Sequence, residues 1–294
     1  EQWVSWYLSF TASYGGRDAQ EMHLRYDYLE EDWDNILGVI HWCKDRIRYH
    51  NVVTLWRNVR DFTHIYGFWT DRLNLLDWII QEAENRGEWQ TAAEAMYDKA
   101  FTLTLTGHSS RLDEAEFLLQ RCWSRRDDTT AVLEARVAAL MASLCIKHRQ
   151  HEEAHRWLEM GESLLTVSRL APSELARERT SLLYDKGENW FVMGNYANAQ
   201  TIFEEMLEQA RMSGWQRSVA YAQNWLAYTA ILQDRLEQGE QYLRDGWLVV
   251  DRIKERRLCA FCTERLRVIA SPAESRQLTE SRKPAVVISS SGMA

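Results

Sequence analysis

Apolar residues recur along this chain at the three-then-four spacing that places side chains on one face of an α-helix. Five such stripes follow one another, each preceded by a stretch that can form another helix. The stripes are Trp69, Leu76 and Ile79; Leu112, Ala115, Leu119 and Cys122; His151, Ala154, Leu158, Gly161 and Leu165; Tyr196, Ala199, Phe203, Met206 and Ala210; and Leu236, Gly239, Leu243, Gly246 and Val250. This pattern predicts five helix pairs whose second helices bury equivalent faces.

The predicted elements divide the chain into four parts. Residues 1–50 form an N-terminal helical segment that leads into the repeats, with a helix over 1–14, a break at Gly15 and Gly16, and a longer helix over 18–48. Residues 51–254 form the five pairs, 255–271 a capping helix and 272–294 a flexible tail. The first helices of the pairs are predicted at about 52–66, 89–106, 130–147, 173–193 and 216–233.

The stripes share one equivalent position, and in four of the five pairs a small residue occupies it. Ala115, Ala154, Ala199 and Gly239 hold it, whereas Arg72 occupies it in the first pair. Successive small residues are separated by 39, 45 and 40 positions. These separations exceed the roughly 34 residues of a standard tetratricopeptide unit, so the helices or loops must be longer.

The stretch from 183 to 203 carries the most specific pattern. Leu183, Gly187 and Trp190 lie in a first helix, Gly194 ends it, and Ala199 and Phe203 face back from the second. This stretch resembles the tetratricopeptide pattern, from which it departs at Lys186 and at Trp190, which stands where Tyr is usual. The resemblance implies an all-α fold, a right-handed superhelical array of tetratricopeptide-like helix pairs.

A second resemblance covers roughly residues 1–270. Asp32, Asn35, Ile36 and Leu37 lie in a helix that precedes the repeats. This is similar to the start of the helical-repeat region of STAND-type regulatory ATPases. The resemblance implies a sensor or partner-binding arm whose partners include a nucleotide-binding domain of the same parent protein. The chain contains no Gly-x4-Gly-Lys-Ser/Thr stretch of its own.

Composition and charge narrow the expected partners. The chain has 14 Trp and only three Pro, a composition that favours helices with a substantial core. Its net charge is -8 and it has no block of basic residues, which argues against nucleic acid as a partner. No apolar run is long enough to predict a membrane span.

Five cysteines at scattered positions, with no signal segment before them, predict a cytoplasmic protein. The start at Glu1, without Met, indicates a fragment of something larger.

Two short motifs offer alternative chemistry. His151, Glu152 and His155 satisfy H-E-x-x-H, the helical zinc motif of metallohydrolases, with Glu162 or Glu174 as a third ligand. The repeat accounts for the same spacing, because Ala154 holds the small position and His151 the place of Tyr196 and Leu236. We therefore predict no metal and no other cofactor, and keep a zinc metallohydrolase as the alternative function.

The second motif is a C-x-x-C formed by Cys259 and Cys262, which permits a redox role or half of a zinc site. No second cysteine pair accompanies it, and no His follows His155. Two small apolar residues in the stripe of the capping helix explain the spacing equally well, since a buried free Cys behaves as a small hydrophobe.

A non-enzymatic function in protein binding or ligand sensing needs a different set of residues. First-helix side chains that point away from the paired helix would line the inner surface of a curved array. These candidates for binding a protein or peptide ligand are Arg57, Asp61, Tyr97, Arg136, Tyr184, Glu188, Tyr221, Asn224 and Tyr228. Tyr184, Tyr221 and Tyr228 are expected to lie close together as aromatic anchors.

Overall fold

A computed structural model describes residues 1–18, 22–106 and 109–253, together with Leu258, Cys262, Thr263 and Arg265. Contacts divide the chain into two compact units, 1–130 and 131–294. The structure is all-α, and within the described residues it contains no strand. Within each unit, helices that are neighbours in the sequence pack against each other. The predicted flexible tail lies outside the described residues, as does most of the predicted capping helix.

The first unit contains seven α-helices among its described residues. They are α1 (Gln2–Tyr14), α2 (Met22–Glu31), α3 (Trp33–Asp45), α4 (Tyr49–Ile65), α5 (Trp69–Arg86), α6 (Trp89–Thr106) and α7 (Ser109–Ser124), followed by a short 3-10 turn at Arg126–Asp128. The helices α4 and α5 form one antiparallel pair, and α6 and α7 form the next. The single helix predicted over 18–48 is instead interrupted at Asp32, whose backbone φ and ψ of -110° and 15° leave the helical region.

The second unit contains six helices in its described part. They are α8 (Ala131–Lys147), α9 (His151–Val167), α10 (Pro172–Val192), α11 (Tyr196–Met212), α12 (Gln216–Leu232) and α13 (Leu236–Ile253). These helices form the pairs α8–α9, α10–α11 and α12–α13, and α10 also packs against α8 and α12. All five predicted first helices therefore form within about three residues of their expected bounds.

Seven turns between these helices share one conformation. In each, a residue with positive φ follows the helix, and the next N–H donates to the carbonyl five residues earlier at 2.8–3.0 Å. This bond closes the helix C-terminus and turns the chain back on itself. The positive-φ residues are Ile47, Gly67, Gly87, Arg149, Gly194, Gly214 and Asp234. Three of the seven are not glycine, so the turn recurs even where its sequence signal is absent.

The helix pair at the centre of the tetratricopeptide-like stretch packs as the sequence predicts. A Cβ built on Gly187 would lie 2.4 Å from the ring of Phe203. The absence of a side chain at Gly187 thus allows α10 and α11 to approach each other. Ala199 and Phe203 are fully buried, and the Phe203 ring stacks on Trp225 of α12 at 5.2 Å. The α11 stripe therefore joins two successive pairs.

Arg72, the exception among the small residues, lies in a buried ion network. Its guanidinium Nη2 is 3.2 Å from Asp98 Oδ2, and both side chains are 4% exposed. Asp98 Oδ1 also pairs with Arg60 at 2.6 Å, while Trp56 Nε1 donates to Asp98 Oδ2 at 3.1 Å. Arg72 Nε donates to Thr102 Oγ1 at 2.9 Å. The first unit thus replaces close apolar contact at this position with paired and hydrogen-bonded charges.

Candidate functional site

Three of the nine predicted binding residues belong to the first unit. Arg57 on α4 is 46% exposed, and its Nη2 forms an ion pair with Glu94 Oε2 at 3.1 Å. Asp61, one turn further along α4, is partly buried and accepts a hydrogen bond from the backbone N–H of Asp18 at 3.1 Å. Tyr97 on α6 is only 5% exposed. Arg57 is therefore the most accessible of the three.

In the second unit, Arg136 and two of the tyrosines take part in interior contacts. Arg136 on α8 pairs with Glu178 on α10 through two hydrogen bonds, one of them between Nε and Oε2 at 2.8 Å. Tyr184 and Tyr221 are 3% and 1% exposed, and their rings meet edge to face with centroids 6.2 Å apart. The predicted proximity of these two tyrosines is confirmed, but it arises inside the unit.

Tyr228 and Asn224 lie beside a described residue of the C-terminal segment. Arg265 Cζ is 4.4 Å from the centroid of the Tyr228 ring, and Arg265 Nη1 donates to the backbone oxygen of Asn224 at 2.6 Å. Burial lowers the pKa of Arg265 to about 10. Asn224 is 2% exposed, and its side-chain Oδ1 has no hydrogen-bond partner within the described part of the chain.

The expectation of an open inner surface is thus not met at five of the nine positions. Tyr97, Tyr184, Glu188, Tyr221 and Asn224 are each at most 5% exposed. In the second unit the reason is that α10 packs against its neighbouring first helices as well as against α9 and α11. The face that points away from the paired helix is consequently covered. Whether the nine residues bind a ligand stays a prediction.

Glu188 belongs to a cluster of ionisable side chains that the sequence reasoning identified only in part. Asp185 lies one turn earlier on α10 and hydrogen-bonds to Ser143 of α8, the helix that also carries Lys147. Burial raises the pKa of Asp185 well above its usual value, and the charge of Glu188 raises it further. Burial likewise raises the pKa of Glu188 and lowers that of Lys147. All three groups are therefore biased towards their neutral forms.

A signal for Asp185 was present in the sequence, because it precedes Glu188 by three positions and so shares its helical face. Nothing comparable indicated Lys147, since its proximity depends on how α8 packs against α10.

The H-E-x-x-H histidines each have a protein partner. His151 Nδ1 is 2.7 Å from the side-chain oxygen of Asn189 on α10, and His155 Nε2 is 3.3 Å from Glu159 one turn along α9. Among the described residues, no group of three His, Cys, Asp or Glu side chains could hold a metal ion. The zinc alternative stays untested; stoichiometric zinc that is lost in a His151→Ala, His155→Ala double variant would support it.

The cysteines that the structure describes, at positions 43, 122, 145 and 262, are buried and form no disulfide. Burial raises the pKa of Cys122 to about 12, so this thiol is not activated as a nucleophile. Cys262 is fully buried in the core cluster of the second unit, together with Leu258. Cys259, its partner in the C-x-x-C, lies outside the described residues.

An exposed aromatic surface on the first unit was not among the predicted binding residues. On α1, Trp6 is 54% exposed and stacks on Phe10, with centroids 4.9 Å apart. Phe10 contacts Tyr14 at 4.9 Å, and Tyr14 contacts Tyr28, which is 52% exposed, at 4.7 Å. We call these four residues the aromatic row. Exposed contiguous apolar surface of this kind is typical of interaction sites.

None of the helices in the described part of the chain combines the length and the apolar character needed to cross a bilayer. No protein-family model matches the sequence, and no curated protein matches it.

Proposed function

We propose that this chain is a non-enzymatic protein-interaction or ligand-sensing module. In this proposal its helix pairs form a right-handed superhelical array of the tetratricopeptide type, located in the cytoplasm. It serves as the sensor or regulatory part of a larger STAND-type signalling ATPase, whose nucleotide-binding domain is one partner. Asp32, Asn35, Ile36 and Leu37, which carry the STAND resemblance, support that assignment.

The recurrence of one helix pair is the observation that carries the proposal. Both units contain paired helices that are joined by the same turn, in which one residue has a positive φ, and that bury an equivalent stripe of residues. Repeats of this kind build extended surfaces whose residues come from successive units, and they act mainly by binding. The aromatic row adds a surface with the composition of a binding hot spot.

The test is capture of a partner from the native host with this chain as bait. Trp6→Ala in the aromatic row and Arg57→Glu on α4 change accessible residues, so we expect helical content to be unchanged and capture to fall. Phe117→Ala is the matched control, because Phe117 is 59% exposed on α7 and lies outside the aromatic row. A partner retained equally by the wild type and all three variants would show that neither surface binds it.

A further inference from the structure

Helix α1 carries no charged side chain, yet much of it lies in solvent. Of the chain's residues 27% are charged, and each of the helices α2 to α13 has at least one of them. The helix α12, which has a single charged residue, is buried along almost all of its length. In α1, by contrast, seven of the 13 residues are exposed, while the other side packs against α2, α3 and α4. Its outer face therefore has the composition of an interface core, where charged residues are depleted.

Two parallel rows of side chains shape this outer face. The aromatic row advances along α1 in steps of four residues, and a serine directly precedes each of its three members on that helix. We call Ser5, Ser9 and Ser13 the serine row, and all three are exposed. Residues four positions apart line up along a helix, so the aromatic side chains form a ridge. The small serines form a shallow groove beside that ridge.

The hydroxyl groups of the serine row are hydrogen-bonded within α1 itself. Ser9 Oγ donates to the backbone oxygen of Ser5 at 3.1 Å, and Ser13 Oγ donates to the backbone oxygen of Ser9 at 2.9 Å. Covering a polar group is costly when the group loses its hydrogen bonds, and these two hydroxyls keep theirs. A large apolar side chain can therefore cover the serine row at little cost.

Charge and shape together indicate what covers this face. The net charge of the chain is -8, so two copies repel each other when charged surfaces meet. The uncharged face of α1 avoids this repulsion and takes no charge out of water. A two-fold contact also requires a surface that is complementary to itself. The ridge and groove of α1 meet this requirement, because ridges with a four-residue step interdigitate when two helices cross at about -50°.

The exposed aromatic area is large enough for a specific contact between two copies. Trp3, Trp6 and Tyr28 are 38%, 54% and 52% exposed. An aromatic side chain buries about 150–250 Å² when it is fully covered, so these three residues offer roughly 300 Å² on each copy. Interfaces are a little over half apolar, so covering this area on both copies buries roughly 1,000 Å² in total. This size is at the lower end for a specific interface, and we expect a Kd in the micromolar range.

We propose that α1 is a dimerisation helix, and that the aromatic row of each copy packs into the serine row of a second copy about a two-fold axis. This inference deepens the proposed interaction function and rests on it, since it names a second copy of this chain as the partner of the aromatic row.

Sedimentation equilibrium of the purified full chain tests the proposal. We expect the mass to rise from 34.6 kDa towards twice that value as the concentration increases from about 1 to 100 μM. Ser9→Arg places a long charged side chain in the groove and should raise the Kd of the dimer at least about tenfold. Trp6→Ala removes part of the ridge and should act in the same direction. Both residues are exposed, so the circular dichroism spectrum should not change.

Ser163→Arg on α9 is the matched control. Ser163 is also exposed, and its Oγ also donates to the backbone oxygen four residues earlier, that of Glu159, at 2.9 Å. This variant changes the net charge by the same amount as Ser9→Arg but should dimerise as the wild type does. Raising the NaCl concentration from about 0.05 to 0.5 M should keep or tighten the dimer, because salt screens the repulsion between two acidic chains.

A chain that keeps a mass of 34.6 kDa at the highest concentration would overturn the proposal. Equal Kd values for Ser9→Arg and Ser163→Arg, or a dimer that dissociates in salt, would also overturn it. If the chain is monomeric and Trp6→Ala still abolishes capture from the host, a different protein covers the aromatic row. Capture that depends on Arg57 does not involve α1, so a monomeric chain with intact capture would refute this inference but not the proposed function.

Discussion

The packing of α10 against α11 gives the sharpest test of the fold, through the substitution Gly187→Ala. The added Cβ would lie 2.4, 2.7 and 2.8 Å from three carbons of the Phe203 ring. Carbon atoms in ordinary contact are about 3.5–4.0 Å apart, so the ring must retreat by roughly 1 Å. It has little room to do so, because its other face stacks on Trp225 with an interplanar angle of 9°.

The expected loss of stability combines two opposing effects. Overpacking in a core costs about 1–3 kcal/mol, and the rigid stacking of Phe203 on Trp225 places this case at the upper end. Alanine in a helix interior is better than glycine by about 1 kcal/mol. We therefore expect Gly187→Ala to reduce the free energy of unfolding by about 2 kcal/mol, which corresponds to a Tm lower by roughly 4–8 °C.

The assay is urea denaturation followed by circular dichroism and by tryptophan fluorescence. Gly38→Ala on α3 is the matched control, because a Cβ at Gly38 would have no atom within 4 Å. Only the helix propensity acts there, so this variant should gain about 0.5–1 kcal/mol. Adding Phe203→Leu to Gly187→Ala should cost less than the sum of the two single changes. Stabilisation by both glycine substitutions would refute the close approach of α10 to α11.

Three further predictions concern charge and backbone conformation. Burial raises the pKa of Glu188 in the folded state, so the folded state holds the proton on this carboxyl more tightly than the unfolded state does. The resulting stabilisation is complete at pH values below the unfolded pKa of about 4.3, and it is lost as the pH rises through the folded pKa. Glu188→Gln should thus flatten the fall in the free energy of unfolding as the pH rises above about 4.3; the same pH dependence for wild type and variant in urea denaturation would contradict this. Asp98→Asn leaves Arg72 buried without its counter-charge and should cost about 3–5 kcal/mol in the same assay, whereas a loss below about 1 kcal/mol would show that the network is dispensable. Arg149 adopts a φ of 60°, so Arg149→Gly should raise the free energy of unfolding by about 1 kcal/mol. Gly194 has a φ of 77°, so Gly194→Ala should lower the free energy of unfolding by a similar amount. A change of the same sign in both variants would exclude backbone strain as the cause.

The sequence alone determined the helices and the faces they bury. The first helix of each pair follows the predicted bounds, and Ala115, Ala154 and Ala199 are fully buried as their spacing requires. This success has a local cause, because the 3.6-residue period places these side chains on one face whatever surrounds the helix. The interruption at Asp32 was missed, since the apolar spacing continues across it.

Only the tertiary structure decided which polar residues are accessible. Tyr184, Tyr221 and Glu188 lie on the face that the repeat pattern turns away from the paired helix, yet neighbouring first helices cover that face. The buried contact between Arg72 and Asp98 joins α5 to α6. The helical period specifies on which side of its own helix a side chain lies. Burial and charge pairing depend on the distance to residues that are far away in the sequence, and the period carries no information about that distance.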